Sequence, residues 1–97
     1  MRILNKRLLE AAVFKHPDIK HVLQHWIDFV EEAEWKSHND LKLDFPSADY
    51  VGNNRYVFNI RGNNYRMVAV ATFIAGSLTI RFFGTHKEYD RINCKTI

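Results

Sequence analysis

"RYVFNIRGNNYRMVAVATF", Arg55 to Phe73, carries two alternating runs around a turn-forming triplet. In the first run Tyr56, Phe58 and Ile60 alternate with Arg55, Val57, Asn59 and Arg61, the period of a strand with one apolar face. "GNN" is turn chemistry and "YRMVAVATF" resumes the alternation, so the stretch predicts a β-hairpin. A loop at Gly62 and Asn63 pairs Asn59 with Arg66, whereas a loop at Asn63 and Asn64 pairs Arg61 with Arg66. Either register puts Asn59, Arg61 and Arg66 on one face, with Phe58, Ile60, Met67 and Ala69 on the other. A second turn at Ala75 and Gly76 predicts a third strand, with Phe73 opposite Leu78, Ala71 opposite Ile80 and Val70 opposite Arg81. Arg81 then joins the arginines, and Phe73, Leu78, Ile80 and Phe82 extend the apolar face.

Upstream the period is helical. Ile19, Val22, Leu23, Trp26, Val30 and Ala33 form one stripe over residues 19 to 33, with Phe29 beside it and Lys20, His21, Gln24, Asp28 and Glu31 opposite. Pro17 suits the first helical position and Asp18 the positive end of the helix dipole. Leu8, Leu9, Ala11, Ala12 and Phe14 predict an earlier helix over residues 5 to 15, so the two make a helical hairpin split at Pro17. "HNDLKLDFPSA" reads as a short helical turn ended by Pro46. With no repeat or linker, residues 1 to 97 read as one α+β domain, its helices packed on the apolar face of an antiparallel meander.

Composition fits that reading. A 97-residue chain with 46% hydrophobic residues supports a single modest core. One cysteine, Cys94, excludes an intrachain disulfide, and charges interrupt "MRILNKRLLEAAVFK" too often for a signal peptide or membrane span. We therefore expect a cytoplasmic protein with no membrane association. The net charge of +3 is unevenly spread: residues 1 to 50 carry 7 Lys/Arg against 9 Asp/Glu, and residues 51 to 97 carry 7 against 2. Between Asp49 and Glu88 there is no acid, yet Arg55, Arg61, Arg66, Arg81 and Lys87 fall there. Directly opposed like charges cost roughly 0.2 to 1 kcal/mol per pair, so a collected cationic face implies a polyanionic ligand.

The chemistry of these residues suits RNA. Arginine presents a planar fork that matches phosphate and stays charged at any relevant pH. Histidine gives or takes a proton near neutrality, and "GTHKEYD", Gly84 to Asp90, places His86, Lys87 and Tyr89 beside the arginines at the end of the third strand. A base that removes a 2′-hydroxyl proton, cations on the crowded phosphorane and an acid for the departing 5′ oxygen suffice for phosphodiester cleavage. Tyr89 suits base stacking or proton transfer. Arg55, Asn59, Arg61 and Arg81 are the expected RNA and phosphate contacts.

"RYVFNIRGNNYRMVAV" followed by "RFFGTHKEYDRI" resembles the HigB group of RelE-like toxins from bacterial type II toxin-antitoxin pairs. The upstream "HWIDFVEEAEWKSHNDLKLDFPSADYVGNNR" resembles the same group in its two tryptophans and "FPSAD", so the likeness spans nearly the whole chain. It implies a RelE-like compact fold with an N-terminal strand, here Arg2 to Leu4, a two-helix hairpin and an antiparallel β-meander. It also implies an mRNA endonuclease, independent of metal or other cofactor, acting largely on ribosome-bound message. The implied partners are mRNA, the ribosome and a helix-turn-helix antitoxin of the HigA type, which alone links the toxin to operator DNA. Carried over by motif, the catalytic residues are Arg66 of "YRMV" with His86, Lys87 and Tyr89 of "THKEYD". Which of them is general base and which general acid stays open, because the strand that holds lysines in several such toxins here holds Arg55 and Arg61.

Rival readings are weaker. His21 and His25, four apart with His16 a turn earlier and Asp28 nearby, have a spacing compatible with a metal, but no HExxH and no cysteine pair completes a site. We read them as solvated. A non-catalytic RNA- or protein-binding module would use the same cationic face, although it gains little from a titrating His86 among arginines.

Overall fold

Five strands and four α-helices follow the order β1, α1, α2, α3, β2, β3, β4, β5, α4 in the computed structural model, which describes residues 1–62 and 64–97. The strands are β1 (Arg2–Leu4), β2 (Asp49–Gly52), β3 (Arg55–Ile60), β4 (Tyr65–Thr72) and β5 (Ser77–Thr85). The helices are α1 (Arg7–Lys15), α2 (Lys20–Glu32), α3 (His38–Asp44) and α4 (His86–Tyr89), with a 3₁₀ turn, Pro17–Ile19, joining α1 to α2. The sheet order is β1-β5-β4-β3-β2. All neighbours are antiparallel except β1, which runs parallel to β5. The α+β class, the N-terminal strand and the helical hairpin thus stand as the sequence and its resemblance imply.

The helices cover one face. Leu9 and Ala12 of α1, Ile19, and Leu23, Trp26 and Val30 of α2 are buried against Tyr56, Phe58, Ile60, Met67, Ala69, Ala71, Leu78 and Ile80 of the sheet. Trp26 meets Phe58 edge-on at 5.4 Å between ring centres, and Phe45 packs on both. Truncating a side chain as enclosed as Leu23, 1% exposed, costs about 2–5 kcal/mol. The Tyr56 hydroxyl, buried in this core, lies 2.7 Å from Nδ1 of His38, and burial pushes its pKa up.

The observed registers choose between the expected ones and correct two of them. Asn59 pairs with Arg66 and Phe58 with Met67, the pairing of the Gly62–Asn63 loop; Asn63 itself lies outside the described residues. Arg61, however, takes φ 53°, left-handed backbone that ends the strand alternation. It therefore leaves the face of Asn59 and Arg66 and forms an ion pair with Asp18. On the other side, Ala71 pairs with Leu78, Val70 with Thr79 and Ala69 with Ile80, two residues away from the expected register. A β-bulge follows, because Val68 pairs with Phe82 and leaves Arg81 unpaired. The extra residue flips the parity of all that follows: Phe83, not Phe82, packs on the helical core.

Two elements were not expected. Asp49–Gly52 adds an edge strand, turned into β3 through Asn53 and Asn54 at φ 52° and 62°. His86–Tyr89 forms a helical turn past the end of the third strand, closed by a capping box in which Thr85 and Glu88 bond reciprocally to each other's backbone nitrogen.

Candidate active site

The sheet face away from the helical core is not simply cationic, as the alternation alone suggested. Its centre is apolar: Val57 and Val68 are 1% and 0% exposed and Phe82 is half-buried. Around that centre sit Asn59 and Arg66, cross-strand partners on β3 and β4. Arg66 in turn lies opposite Gly84 of β5, from which the chain enters α4. A Cβ at Gly84 would stand 2.7 Å from Phe82 Cζ and 2.9 Å from Glu88 Oε1, so a larger residue there would displace the side chains that pack α4 on the strand.

α4 brings Tyr89 onto Arg66. The guanidinium carbon lies 5.1 Å from the ring centre, and that centre is 6.4 Å from the centre of the Phe82 ring. Such stacking holds a guanidinium in place without occupying its donors. Arg66 Nε and Asn59 Oδ1 are both buried and have no hydrogen-bond partner. Orphaned buried polar atoms are rare because desolvation goes uncompensated, and two on adjacent strands describe a place where a ligand would supply the missing partners.

Tyr89 is pushed up to about 12, first by burial and next by its hydrogen bond and charge interaction with Cys94, with Arg66 opposing and Asp49 adding to the rise. It is therefore a phenol at neutral pH, able to donate a proton but not to remove one. His86, the first residue of α4, keeps its side chain half exposed and places Nδ1 3.3 Å from Asp90 Oδ2. A carboxylate at that distance supplies a counterion for the imidazolium that forms when a histidine takes a proton. Lys87, next on α4, and Arg81, at the bulge of β5, are exposed. Glu88 faces the other way, to Lys15 at 3.3 Å, and is held below its usual range first by the Thr85 backbone.

Arg66, Tyr89 and Asn59 are thus gathered at one end of the face, with His86 and Lys87 on the same helical turn as Tyr89. Arg61 is not, being held by Asp18, and Arg55 has its donors on the protein itself: Nε and a terminal nitrogen on the Ile97 backbone oxygen at 3.0 and 2.8 Å, and the other terminal nitrogen on Asn53 O at 2.9 Å. The helical histidines build no metal site. His16 packs on Tyr65 at 5.0 Å, and among the described residues no three His, Cys, Asp or Glu side chains cluster as ligands.

A sequence profile of the HigB toxin family, the RelE-like toxic component of a toxin-antitoxin system, matches residues 19–92. The chain belongs to the HigB toxin family. A HigB curated as an mRNA interferase toxin in Escherichia coli (strain K12) is 36% identical over 93 residues, covering 93% of this chain and 88% of that protein. An mRNA interferase HigB of Shigella flexneri shows the same identity and coverage, and one of Escherichia coli O6:H1 is 26% identical over 94 residues. As a HigB toxin the protein has a cognate antitoxin. Among the described residues no helix is long and apolar enough to cross a membrane.

Two members of this HigB site escaped the sequence reading. Asp90 carries a usable signal, its spacing of four from His86 on a helical turn. Cys94 carries none, since its contact with Tyr89 depends on how residues after α4 fold back.

Proposed function

We propose that this HigB toxin is an mRNA interferase, an endoribonuclease that cleaves message on the translating ribosome with its own side chains as acid, base and electrostatic catalyst. The observation that carries this is Arg66, stacked on Tyr89 with its Nε buried and unpartnered. A phosphate oxygen would complete that donor, and the fixed guanidinium would stabilise charge as it builds on the phosphorane. His86 Nε2 takes the 2′-hydroxyl proton, O2′ bonds to phosphorus, the P–O5′ bond breaks, and Tyr89 donates its proton to the departing 5′ oxygen. Solvent then carries the proton from His86 back to Tyr89, which restores both groups and leaves a 2′,3′-cyclic phosphate and a 5′-hydroxyl. Lys87, Arg81 and Asn59 contact the RNA on either side.

The partner is a helix-turn-helix antitoxin, through which alone the toxin meets operator DNA, and both act in the cytoplasm. Its acidic residues would cover the face that has no acid between Asp49 and Glu88 in sequence. Induced expression of the protein should arrest growth and fragment translated mRNA, co-expressed antitoxin should restore growth, and Arg66→Ala should abolish both effects. Arrest with intact mRNA would instead mean that the protein inhibits by binding.

A further inference from the structure

Residues 90–97 run back across the site face after α4. Ile92 N bonds to Tyr89 O at 3.2 Å, Thr96 N and Ile97 N both bond to Asn93 O at 3.1 Å, and Lys95 N bonds to Asn93 Oδ1 at 3.1 Å, so the segment is folded on itself. Its end is fastened at the far side of the sheet. Arg55 of β3 grips the Ile97 backbone oxygen with two donors, and Asn53 Nδ2 bonds to Lys95 O at 3.0 Å. Arg55 also bonds to Asn53 O, which joins the two fastenings into one clip. Val57 and Val68 on this face are fully buried, which the helices on the opposite face cannot achieve. Between the clip and α4 lies Cys94, close enough to the Tyr89 hydroxyl to help push its pKa up.

We infer that Arg55 is a positioning residue: by clipping residues 93–97 over the sheet it keeps Cys94 against Tyr89 and so holds the Tyr89 ring on Arg66. This deepens the reading of the site given above and rests on it. It also separates Arg55 from the other arginines. A guanidinium with three nitrogens on backbone oxygens is a structural fork, whereas Arg66 has a donor left open.

The test compares Arg55→Ala, Asn53→Gly and Arg55→Lys with the parent protein in cleaving a translated message in a purified translation system. Glycine is chosen at position 53 because it keeps the left-handed backbone. Losing two charge-assisted hydrogen bonds should loosen the segment by about tenfold or more. We expect kcat to fall by about that factor with KM unchanged, Arg55→Lys to recover part of it, and maleimide to modify Cys94 about tenfold faster. Combining Arg55→Ala with Tyr89→Phe should add little to Tyr89→Phe alone, because both act through one group. Weaker RNA association with a shallower salt dependence would overturn the inference and make Arg55 a phosphate ligand. Unchanged kcat and unchanged Cys94 reactivity would overturn it too. Should Arg55→Ala fail to fold, Asn53→Gly removes the second fastening without removing a charge and decides the matter. If Tyr89→Phe alone cleaves at the parental rate, the proposed chemistry falls, and the Cys94 rate still judges the clip.

Discussion

Arg66 stands between two partners that cannot satisfy it: its guanidinium lies 5.1 Å from the Tyr89 ring centre, a contact that uses no N–H, and its cross-strand neighbour Asn59 keeps an orphaned oxygen of its own. Folding gains little from such an arrangement, since a buried donor without an acceptor is destabilising. A ligand with an acceptor for Arg66 and a donor for Asn59 resolves both. RNA offers both groups, a phosphate oxygen and a ribose or base N–H or O–H.

Substitution at Arg66 should distinguish charge from geometry. Lysine keeps the charge but loses the planar fork and its stacking on Tyr89. Arg66→Lys should reduce mRNA cleavage by about 10²–10³, in the range of losing one preorganised electrostatic donor. Thermal unfolding should move little or upward, because an unsatisfied buried Nε is removed. A parental cleavage rate in Arg66→Lys would show that charge alone is needed.

Tyr89 makes a pH-dependent contribution to stability. Its pKa in the folded protein, about 12, exceeds the ordinary value of 10.0, so the neutral phenol is the form that the fold favours. The contribution is complete below pH 10 and is lost as pH rises through 12. Tyr56 is shifted in the same direction and adds to the same window. Denaturant titrations between pH 9 and 12 should therefore show a smaller alkaline loss in Tyr89→Phe than in the parent, without abolishing it.

The parts of this fold that the sequence discloses are those governed by local pattern. Tyr56, Phe58 and Ile60 alternate because one face of β3 is buried, and the stripe on α2 repeats for the same reason. The parts it hides depend on single backbone states or on distant contacts. Arg81 is a bulge without a glycine or proline to mark it, and Arg61 adopts left-handed backbone that arginine rarely takes. Both residues keep the spacing of an ordinary strand in the sequence. Asp49–Gly52 was missed because an edge strand buries little and so shows little alternation. Arg55 looked like a phosphate contact since nothing near it in sequence reveals that Ile97 returns to it.

The capping box should matter more to activity than to stability. Thr85 accepts from Glu88 N at 3.2 Å and Glu88 accepts from Thr85 N at 2.8 Å, and together they set the angle at which α4 leaves β5. Thr85→Ala should cost about 1 kcal/mol, typical of a lost cap. Since α4 carries His86, Lys87 and Tyr89, cleavage should fall by about tenfold or more, beyond what a small change in folded fraction explains. Glu88, held below its usual pKa, stabilises the fold above about pH 4.5 and loses that effect as pH falls through its lowered value. Denaturant titrations of the parent and of Glu88→Gln, followed by circular dichroism, should show the parent more stable above about pH 4.5 and the difference shrinking as pH falls below it.

His86 and Asp90 supply the last test, because their 3.3 Å contact divides base from orienter. His86→Gln keeps a hydrogen-bonding side chain of similar size and removes the titration, so cleavage should fall by about 10²–10⁴ while ribosome association and folding persist. Asp90→Asn keeps the size of the partner but removes its charge, so the imidazolium formed during the reaction loses a counterion. Its effect should be smaller than that of His86→Gln, and the double variant should be no worse than His86→Gln alone, as expected when one residue acts only through the other. Both halves of this relation are measured on translated message with the same preparation of ribosomes. Additive losses in the double variant would give Asp90 a role of its own, and cleavage by His86→Gln within about threefold of the parent, well below the 10²–10⁴ loss expected of a missing base, would remove His86 from the reaction.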